Sequence, residues 1–406
     1  MSVNLTVFEA FHAIKGLKIG YCNAGIKQTQ RQDLVVFELA STATTAGIFT
    51  QNAFCAAPVQ ICKKHLEQAK TQYLVINTGN ANAGTGKGGF DDAMAICQTL
   101  ADFKKVDVKC VLPFSTGVIG ERLPLEKITS SIPAVFRNLN EDNWFEGSRG
   151  IMTTDTQPKG TSIQFQYKGE TITISGVSKG AGMIKPNMAT MLGFIATDAG
   201  IKQSLLEKIC IELGEKSFNR ITIDGDTSTN DSCILIATGK LATPVIENES
   251  DELYSVLKGE LEKVFVYLAQ AIVRDGEGAT KFVSIDVLNC NDSNEALDVA
   301  YTVAHSPLVK TALFASDANW GRILAAVGRS GVKNMDLSKI QIFLDDVCIV
   351  SNGARAVSYT EEAGSKVMQQ DELSIRIDMG RGDVNETVWT TDLSHEYVSI
   401  NADYRS

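Results

Sequence analysis

The stretch KGAGMIKPNMATMLGF, residues 179–194, constrains the chain more than any other. A flexible Gly-rich segment, with Lys179, Lys185 and Pro186, runs straight into Thr190 and then into the apolar run from Met191 to Ala196. That arrangement can deliver a threonine hydroxyl to its own preceding carbonyl. If the Ala189–Thr190 bond breaks, Thr190 gains a free α-amino group, with a reference pKa of about 7.7–8.0. Such an amine can deprotonate its own hydroxyl, the N-terminal-amine form of nucleophile activation. The same pattern also describes a threonine that simply opens a β-strand, where β-branched residues are common. The local residues leave both readings open.

Length and composition narrow the class. At 406 residues the chain exceeds one small core and suggests two or three domains by length alone. Hydrophobic content of 44% and charged content of 21% fit an ordinary α/β protein. A net charge of −10 argues against nucleic-acid binding, which usually shows a basic face. The start, MSVNLTVFEAFHAIKG, lacks the basic and apolar regions of a secretory signal, and no run approaches a membrane span, so a cytoplasmic protein with no membrane partner is expected. Nine cysteines (Cys22, Cys55, Cys62, Cys97, Cys110, Cys210, Cys233, Cys290, Cys348) form no C-x-x-C pair. Their irregular spacing suggests reduced, mostly buried thiols. The four histidines do not cluster at ligand spacing, so no metal is expected. Only Cys62 and His65 lie close, which an exposed helix start explains.

Strands and helices alternate without long linkers. Tyr73–Asn77 reads as a buried strand, followed by a Gly-rich loop over 78–89 and a helix from about Phe90 to Lys104. Val111–Gly120 is a second strand-to-loop unit, and a helix opens at about Leu125 with Pro124 in its first turn. Strands are expected at Thr171–Val177 and Met191–Thr197, then a helix near Lys202–Phe218. Ile221–Ile223 and Cys233–Ala237 read as a pair of strands around a polar turn. From Asp251 to Arg274, Leu253, Leu257, Leu261, Val264, Leu268 and Ile272 make one helical stripe, which is core packing. Later come a strand at Lys281–Leu288, a helix around Asn319–Arg329, and strands at Ile340–Leu344, Val347–Val350 and Leu373–Ile377. The fold class is α/β: layered sheets covered by helices rather than a doubly wound parallel sheet. The layer order cannot be read from pattern.

Two loops bear on chemistry. Residues 78–89 follow a strand and precede a helix, yet they lack G-x-x-x-x-G-K-[ST] and hold only a lone G-x-G-x-x-G, so a tight structural turn is the better reading. Ser115-Thr116-Gly117, placed in a loop between strand and helix, offers a hydroxyl and a backbone N–H to a developing oxyanion. Taken alone, it is also an ordinary turn or N-cap.

The segment KGAGMIKPNMATMLGFIATDA (179–199) closely resembles the self-cleavage segment of the ornithine acetyltransferases, the glutamate N-acetyltransferases of cyclic arginine synthesis. Further agreement, in order along the chain, appears in NTGNANAGTG (77–86), PFSTGVIGERLP (113–124), IMTTDTQPK (151–159), ITIDGDTSTND (221–231), RDGEGATKF (274–282), SDANWGRILAAVG (316–328) and NADYRS (401–406). The resemblance implies a self-processing, N-terminal-nucleophile-like enzyme of the ornithine acetyltransferase/β-aminopeptidase type. It implies cleavage between Ala189 and Thr190 into an α chain (1–189) and a β chain (190–406), assembled as α2β2. It further implies Thr190 as nucleophile and Thr116 and Gly117 as the oxyanion pair. Thr153, Lys179, Thr190, Glu277, Asn401 and Ser406 match substrate-contacting positions. Thr154 and Thr156 beside Thr153 compete for its role, and Ser406 stands where many relatives end in threonine.

The implied reaction moves an acetyl group from N-acetyl-L-ornithine to L-glutamate through an acetyl-threonine ester. In that scheme Lys179 pairs with a substrate carboxylate and Glu277 with a substrate ammonium, while Asn401 and Ser406 bond the amino-acid head. No cofactor is implied, and acetyl-CoA stays open as a second donor. The alternatives are a β-peptidyl aminopeptidase or amidase of similar architecture, which normally presents a serine, and a non-catalytic amino-acid-binding protein, whose signature would be a lost nucleophile.

Overall fold

The run Leu34–Leu39 is buried at nearly every position, so it needs apolar partners on both of its faces. Layering supplies them. The computed structural model describes residues 2–8, 10–26, 31–185 and 191–403. The chain divides into two compact units: a larger one of Thr6–Asn219 and Asp226–Ile272, and a smaller one of Met1–Leu5, Arg220–Gly225 and Val273–Ser406. This division does not follow the expected break after Ala189, because residues on both sides of that position belong to the larger unit.

The larger unit is built from β1 (Leu17–Cys22), β2 (Leu34–Leu39), β3 (Thr44–Phe49), α1 (Ala57–Gln68), β4 (Tyr73–Asn80), α2 (Gly86–Lys104), β5 (Val111–Val118), α3 (Leu125–Val135) and α4 (Trp144–Gly150). It continues through β6 (Lys159–Tyr167), β7 (Glu170–Lys179), β8 (Leu192–Thr197), α5 (Gln203–Lys216), β9 (Ser232–Ala237) and α6 (Glu252–Arg274). One sheet has the order β1-β2-β4-β5 and the other β3-β9-β8-β7-β6. Period-two alternation decides what each face meets. Val35, Phe37 and Leu39 of β2 enter a core shared with Leu192, Phe194 and Ala196 of β8 and Ile234 and Ile236 of β9. Leu34 and Val36 point the other way, into a cluster with Ile96 and Leu100 of α2 and Ile128 and Ile132 of α3. On the outer face of the second sheet lies α6, with its whole predicted stripe buried. A Cβ added to Gly176 of β7 would meet Leu268 and Val264 of α6, so the glycine permits that close approach. The layers therefore run helix, sheet, sheet, helix.

The smaller unit holds β10 (Phe282–Cys290), α7 (Ser293–Ala304), α8 (Pro307–Phe314), α9 (Trp320–Gly328), β11 (Gln341–Leu344), β12 (Val347–Ser351), β13 (Ala354–Arg355), α10 (Glu361–Met368), β14 (Glu372–Asp378), β15 (Val384–Thr391) and α11 (His395–Ala402). Its sheet has the order β13-β12-β11-β14-β10-β15. Val283, Ile285 and Val287 of β10 pack with Val299, Ala300 and Val303 of α7.

Three local expectations are corrected. Ile221–Ile223 is not a strand paired with β9: Ile221 makes a single bridge to Trp389, and the Thr222 N–H donates to the Trp389 carbonyl at 3.0 Å within the smaller unit. All three residues are buried, but a lone bridge does not extend into a strand. Ser115-Thr116-Gly117 lies inside β5 rather than in a loop. Cys62 and His65 are not at an exposed helix start, because their i,i+3 spacing turns both onto the face of α1 that packs on β5. There the Cys62 thiol donates to the Pro113 carbonyl at 3.0 Å, and His65 Nδ1 lies 2.7 Å from the Val111 carbonyl. All nine cysteines are free, and six are buried. Among the described residues no helix is long and apolar enough to cross a membrane.

Phe194 is the keystone between the two sheets, its ring centroid 5.2 Å from those of both Phe37 and Phe114. Phe194→Ala is expected to lower unfolding stability by about 3–5 kcal/mol. Denaturant unfolding of the purified variant checks this, and a loss below about 1 kcal/mol would remove Phe194 from that role.

Candidate active site

The expected nucleophile Thr190, its neighbour Ala189 and the expected contact Ser406 lie outside the described residues. The backbone just after Thr190 is tied at both of its polar groups. Met191 is buried, its N–H donates to Asp231 Oδ1 at 2.9 Å, and its carbonyl accepts the Ser232 N–H at 3.1 Å. Leu192 opens β8 opposite Lys179 on β7 and Ser232 on β9. Lys179, last in its strand, is thus held one strand away from the segment that begins next to Thr190.

Asp231 is fully buried, and its Oδ2 has no hydrogen-bond partner among the described residues. Burial drives its carboxyl well above the usual carboxylate range, against the opposing pull of the Met191 N–H, the Lys179 charge and the Ser228 hydroxyl. Asp231 was not among the expected site residues. The one signal for it in the sequence is its place at the end of ITIDGDTSTND.

Thr116 and Gly117 sit near the end of β5, parallel to β4, where the register slips and Asn80 faces both Thr116 and Val118. Gly117 has φ +136°, and a Cβ there would lie 2.3 Å from the Gly79 carbonyl carbon, so only glycine fits. Buried amides hold this strand end. Ser115 Oγ donates to Asn77 Oδ1 at 2.6 Å, and Asn77 Nδ2 donates to the Asn80 carbonyl at 2.9 Å. Asn230 Nδ2 donates to the Ser115 carbonyl at 2.9 Å and to the Ala81 carbonyl at 2.6 Å. Because Asn230 precedes Asp231, two consecutive side chains tie the Thr116–Gly117 strand end to the backbone N–H that follows Thr190. Asn80, last in β4, donates from Nδ2 to the Glu121 and Arg122 carbonyls, and within the Gly-rich turn Asn82 Nδ2 donates to the Gly89 carbonyl.

Thr153 and Lys179 meet at a carboxylate that sequence reasoning did not single out. Asp155 Oδ2 accepts the Thr153 N–H at 2.9 Å and lies 3.8 Å from Lys179 Nζ. Its Oδ1 accepts the Gly180 N–H at 2.7 Å and Lys159 Nζ at 2.6 Å. The side chains of Asp155 and Lys159 are wholly buried, and that of Lys179 nearly so. Burial alone would raise the Asp155 carboxyl. The Lys159 and Lys179 charges, with the Gly180 N–H, overwhelm that effect and hold it well below the usual range.

In the smaller unit, Asn401 Nδ2 donates to Glu277 Oε2 at 2.9 Å, joining two of the expected substrate contacts. The turn bearing Glu277 grips α11, because Ser394 Oγ donates to the Gly278 carbonyl at 2.6 Å. Tyr397 Oη donates to Asp224 Oδ2 at 3.2 Å. Among the described residues no group of three or more His, Cys, Asp or Glu side chains could hold a metal ion.

A model of the ArgJ family matches residues 18–406. The chain is 58% identical over 406 residues to the arginine biosynthesis bifunctional protein ArgJ of Pseudomonas fluorescens, covering all of both chains. It is 57% identical over 406 residues to the protein of the same name from Pseudomonas syringae pv. tomato, again covering both fully. Among solved structures it is similar to arginine biosynthesis bifunctional protein argJ from Bacillus halodurans, at 34% identity and a TM-score of 0.50, over 52% of this chain and 99% of that one. The chain belongs to the ArgJ family.

Proposed function

We propose that this chain transfers the acetyl group of N-acetyl-L-ornithine to L-glutamate by way of an ester on Thr190. Membership of the ArgJ family makes it an acyltransferase of arginine biosynthesis. Identity of 58% along the whole chain to an arginine biosynthesis bifunctional protein ArgJ favours transfer over the aminopeptidase alternative. One observation carries the residue-level reading: the Thr116–Gly117 strand end and the Met191 N–H are tied together through Asn230 and Asp231.

Before the proposed cycle, the Ala189–Thr190 bond is hydrolysed once, water taking the Ala189 acyl group as a carboxylate and freeing the α-amine of Thr190. That amine takes the proton of Thr190 Oγ as the oxygen attacks the acetyl carbonyl. Negative charge develops on the carbonyl oxygen, where the Thr116 hydroxyl and the Gly117 N–H are the proposed donors. Collapse breaks the C–N bond, and the proton passes to the departing ornithine nitrogen. The free amine of glutamate then attacks the acetyl-threonine ester, its nitrogen passing one proton to the Thr190 α-amine, which hands it to Thr190 Oγ as the ester C–O bond breaks and N-acetylglutamate leaves. Lys179 and Thr153 are proposed to bind one end of each amino acid. Glu277 takes a substrate ammonium, and Asn401 with Ser406 bonds the amino-acid head. No cofactor enters the scheme, and acetyl-CoA as a second acetyl donor is tested by thiol release with glutamate. The two halves are proposed to stay together as α2β2 in the cytoplasm, a setting that nine free cysteines support.

Steady-state kinetics should give parallel double-reciprocal lines with N-acetylornithine and glutamate, as a covalent intermediate requires. Intersecting lines would replace the ester with direct transfer. Thr190→Ala should yield a folded chain that is uncut on denaturing gels and inactive. Thr190→Ser should still process, more slowly because the lost methyl no longer fixes the rotamer, and should keep partial activity. N-terminal sequencing that finds no new terminus at Thr190 in active wild-type protein would sink the processing step. Thr116→Ala should lower turnover by roughly 10²–10³ with the fold retained; unchanged turnover would take Thr116 out of the mechanism.

A further inference from the structure

Lys310 of α8 is buried, and the proposed reaction makes no use of it. Burial pulls its ammonium down to about 8, against the opposing charges of Asp392 and Asp224. A buried cation adds desolvation cost, so stability is a poor reason for its presence. Its bonds converge on one place. Lys310 Nζ donates to the Thr391 carbonyl and lies 3.2 Å from Thr390 Oγ1 and 3.5 Å from Thr391 Oγ1. The Lys310 carbonyl accepts the Leu393 N–H at 3.2 Å. With side chain and backbone together, α8 thus holds the passage from the end of β15 into α11.

That passage in turn holds the turn that carries Glu277. Asp392 Oδ1 accepts the N–H groups of Thr280 at 2.8 Å and Lys281 at 3.1 Å, and its Oδ2 accepts the Thr280 hydroxyl at 2.5 Å. Two residues on, Ser394 Oγ bonds the Gly278 carbonyl and caps α11 by accepting the Tyr397 N–H at 3.3 Å. Gly278 has φ +67°, and a Cβ there would lie 2.5 Å from the Tyr397 nitrogen, so the turn rests directly on the start of α11. From the last turn of that helix, Asn401 reaches back to Glu277 Oε2. Glu277 therefore sits in a closed circuit through 278–281, 392–394 and α11, and Lys310 secures the circuit at Thr391.

We propose that Lys310 and Asp392 are positioning residues for Glu277, a buried clasp that sets how tightly N-acetylornithine is held by its side-chain ammonium. The inference rests on the proposed transfer reaction and on Glu277 as the residue that takes the substrate ammonium. The chemistry of the two amino acids makes the effect selective. N-acetylornithine carries its one ammonium on the side chain, because its α-nitrogen is an amide. Glutamate has only its α-amine, which must be unprotonated to attack the ester, and its side chain ends in a carboxylate. Loosening the Glu277 turn weakens the first half-reaction more than the second.

The test separates the two half-reactions. In a ping-pong scheme, kcat/KM for each amino acid reports only the half-reaction which that amino acid enters. Lys310→Met and Asp392→Ala should each lower kcat/KM for N-acetylornithine roughly tenfold, the scale of one weakened charged contact, while kcat/KM for glutamate stays within about threefold of wild type. Residues that only supported the fold would lower both values equally, by reducing the fraction of active enzyme. Equal falls, or no fall for N-acetylornithine, in either variant overturn the inference. Should both variants fail to fold, Thr280→Val decides, because it removes one bond to Asp392 from an exposed side chain. A selective fall of about threefold for N-acetylornithine then supports the inference, and an equal fall or none overturns it. Wild-type protein that transfers no acetyl group would overturn the proposed reaction itself, and the clasp's role in it would fall with it.

Discussion

The hydrogen bond from the Met191 N–H to the buried Asp231 carboxyl fixes the position from which the rest of the site is built. It pins the start of β8 at the residue that follows Thr190. From there β8 runs between β7 and β9, and its register with β7 sets Lys179 opposite Leu192. The same strand sends Phe194 into the core between the two sheets, so the apolar packing and the chemistry share one element. A strand buried on both faces cannot slide by one residue without moving its whole core set. The core thereby transmits its rigidity to the residue beside the proposed nucleophile.

The site is costly in polar terms, and those costs fall where function is proposed. Asp231 keeps a buried oxygen with no hydrogen-bond partner among the described residues, and Asp155, Lys159 and Lys179 place three ionisable side chains out of water. Replacing such groups with apolar residues is often neutral or stabilising, so stability alone does not account for them. Buried amides do a different job around Thr116 and Gly117. Asn77 and Asn230 bond the carbonyls of Asn80 and Ser115 beside the register slip, next to a glycine at φ +136° where no side chain would fit.

Much of the fold was legible where one periodicity acts over a long segment. The α6 stripe is read at a 3.6-residue period, and every one of its residues is buried. The buried strand at Tyr73, the helix after it and the strand after Met191 were legible for the same reason, although β4 extends to Asn80. β1, β2, β3 and β6 were not among the expected elements. β6, KGTSIQFQY, alternates polar and apolar residues, and its pairing with β7 is what makes it a strand. The layer order was unreadable because it depends on which faces meet across the core. In the site, Thr116, Gly117, Thr153, Lys179, Glu277 and Asn401 were named through resemblance. Asp155, Lys159, Asn230 and Asp231 lie inside the same quoted segments, but their roles are three-dimensional. Asn230 holds a carbonyl 115 residues away in sequence, Asp231 an N–H 40 residues away and Asp155 an N–H 25 residues away, and no motif records those pairings. Glycine at position 117 reads as a loop signal, yet it belongs to a strand whose irregular pairing requires it.

The central claim is that the acetyl group rests on Thr190 between the two half-reactions. Mixing the enzyme with N-acetylornithine in the absence of glutamate, quenching in acid and measuring peptide masses addresses it directly. The account predicts one added acetyl group on the peptide that begins at Thr190, lost again when glutamate is supplied before the quench. An acetyl group on a different peptide, or product formed with no acetylated peptide at any time, would contradict it.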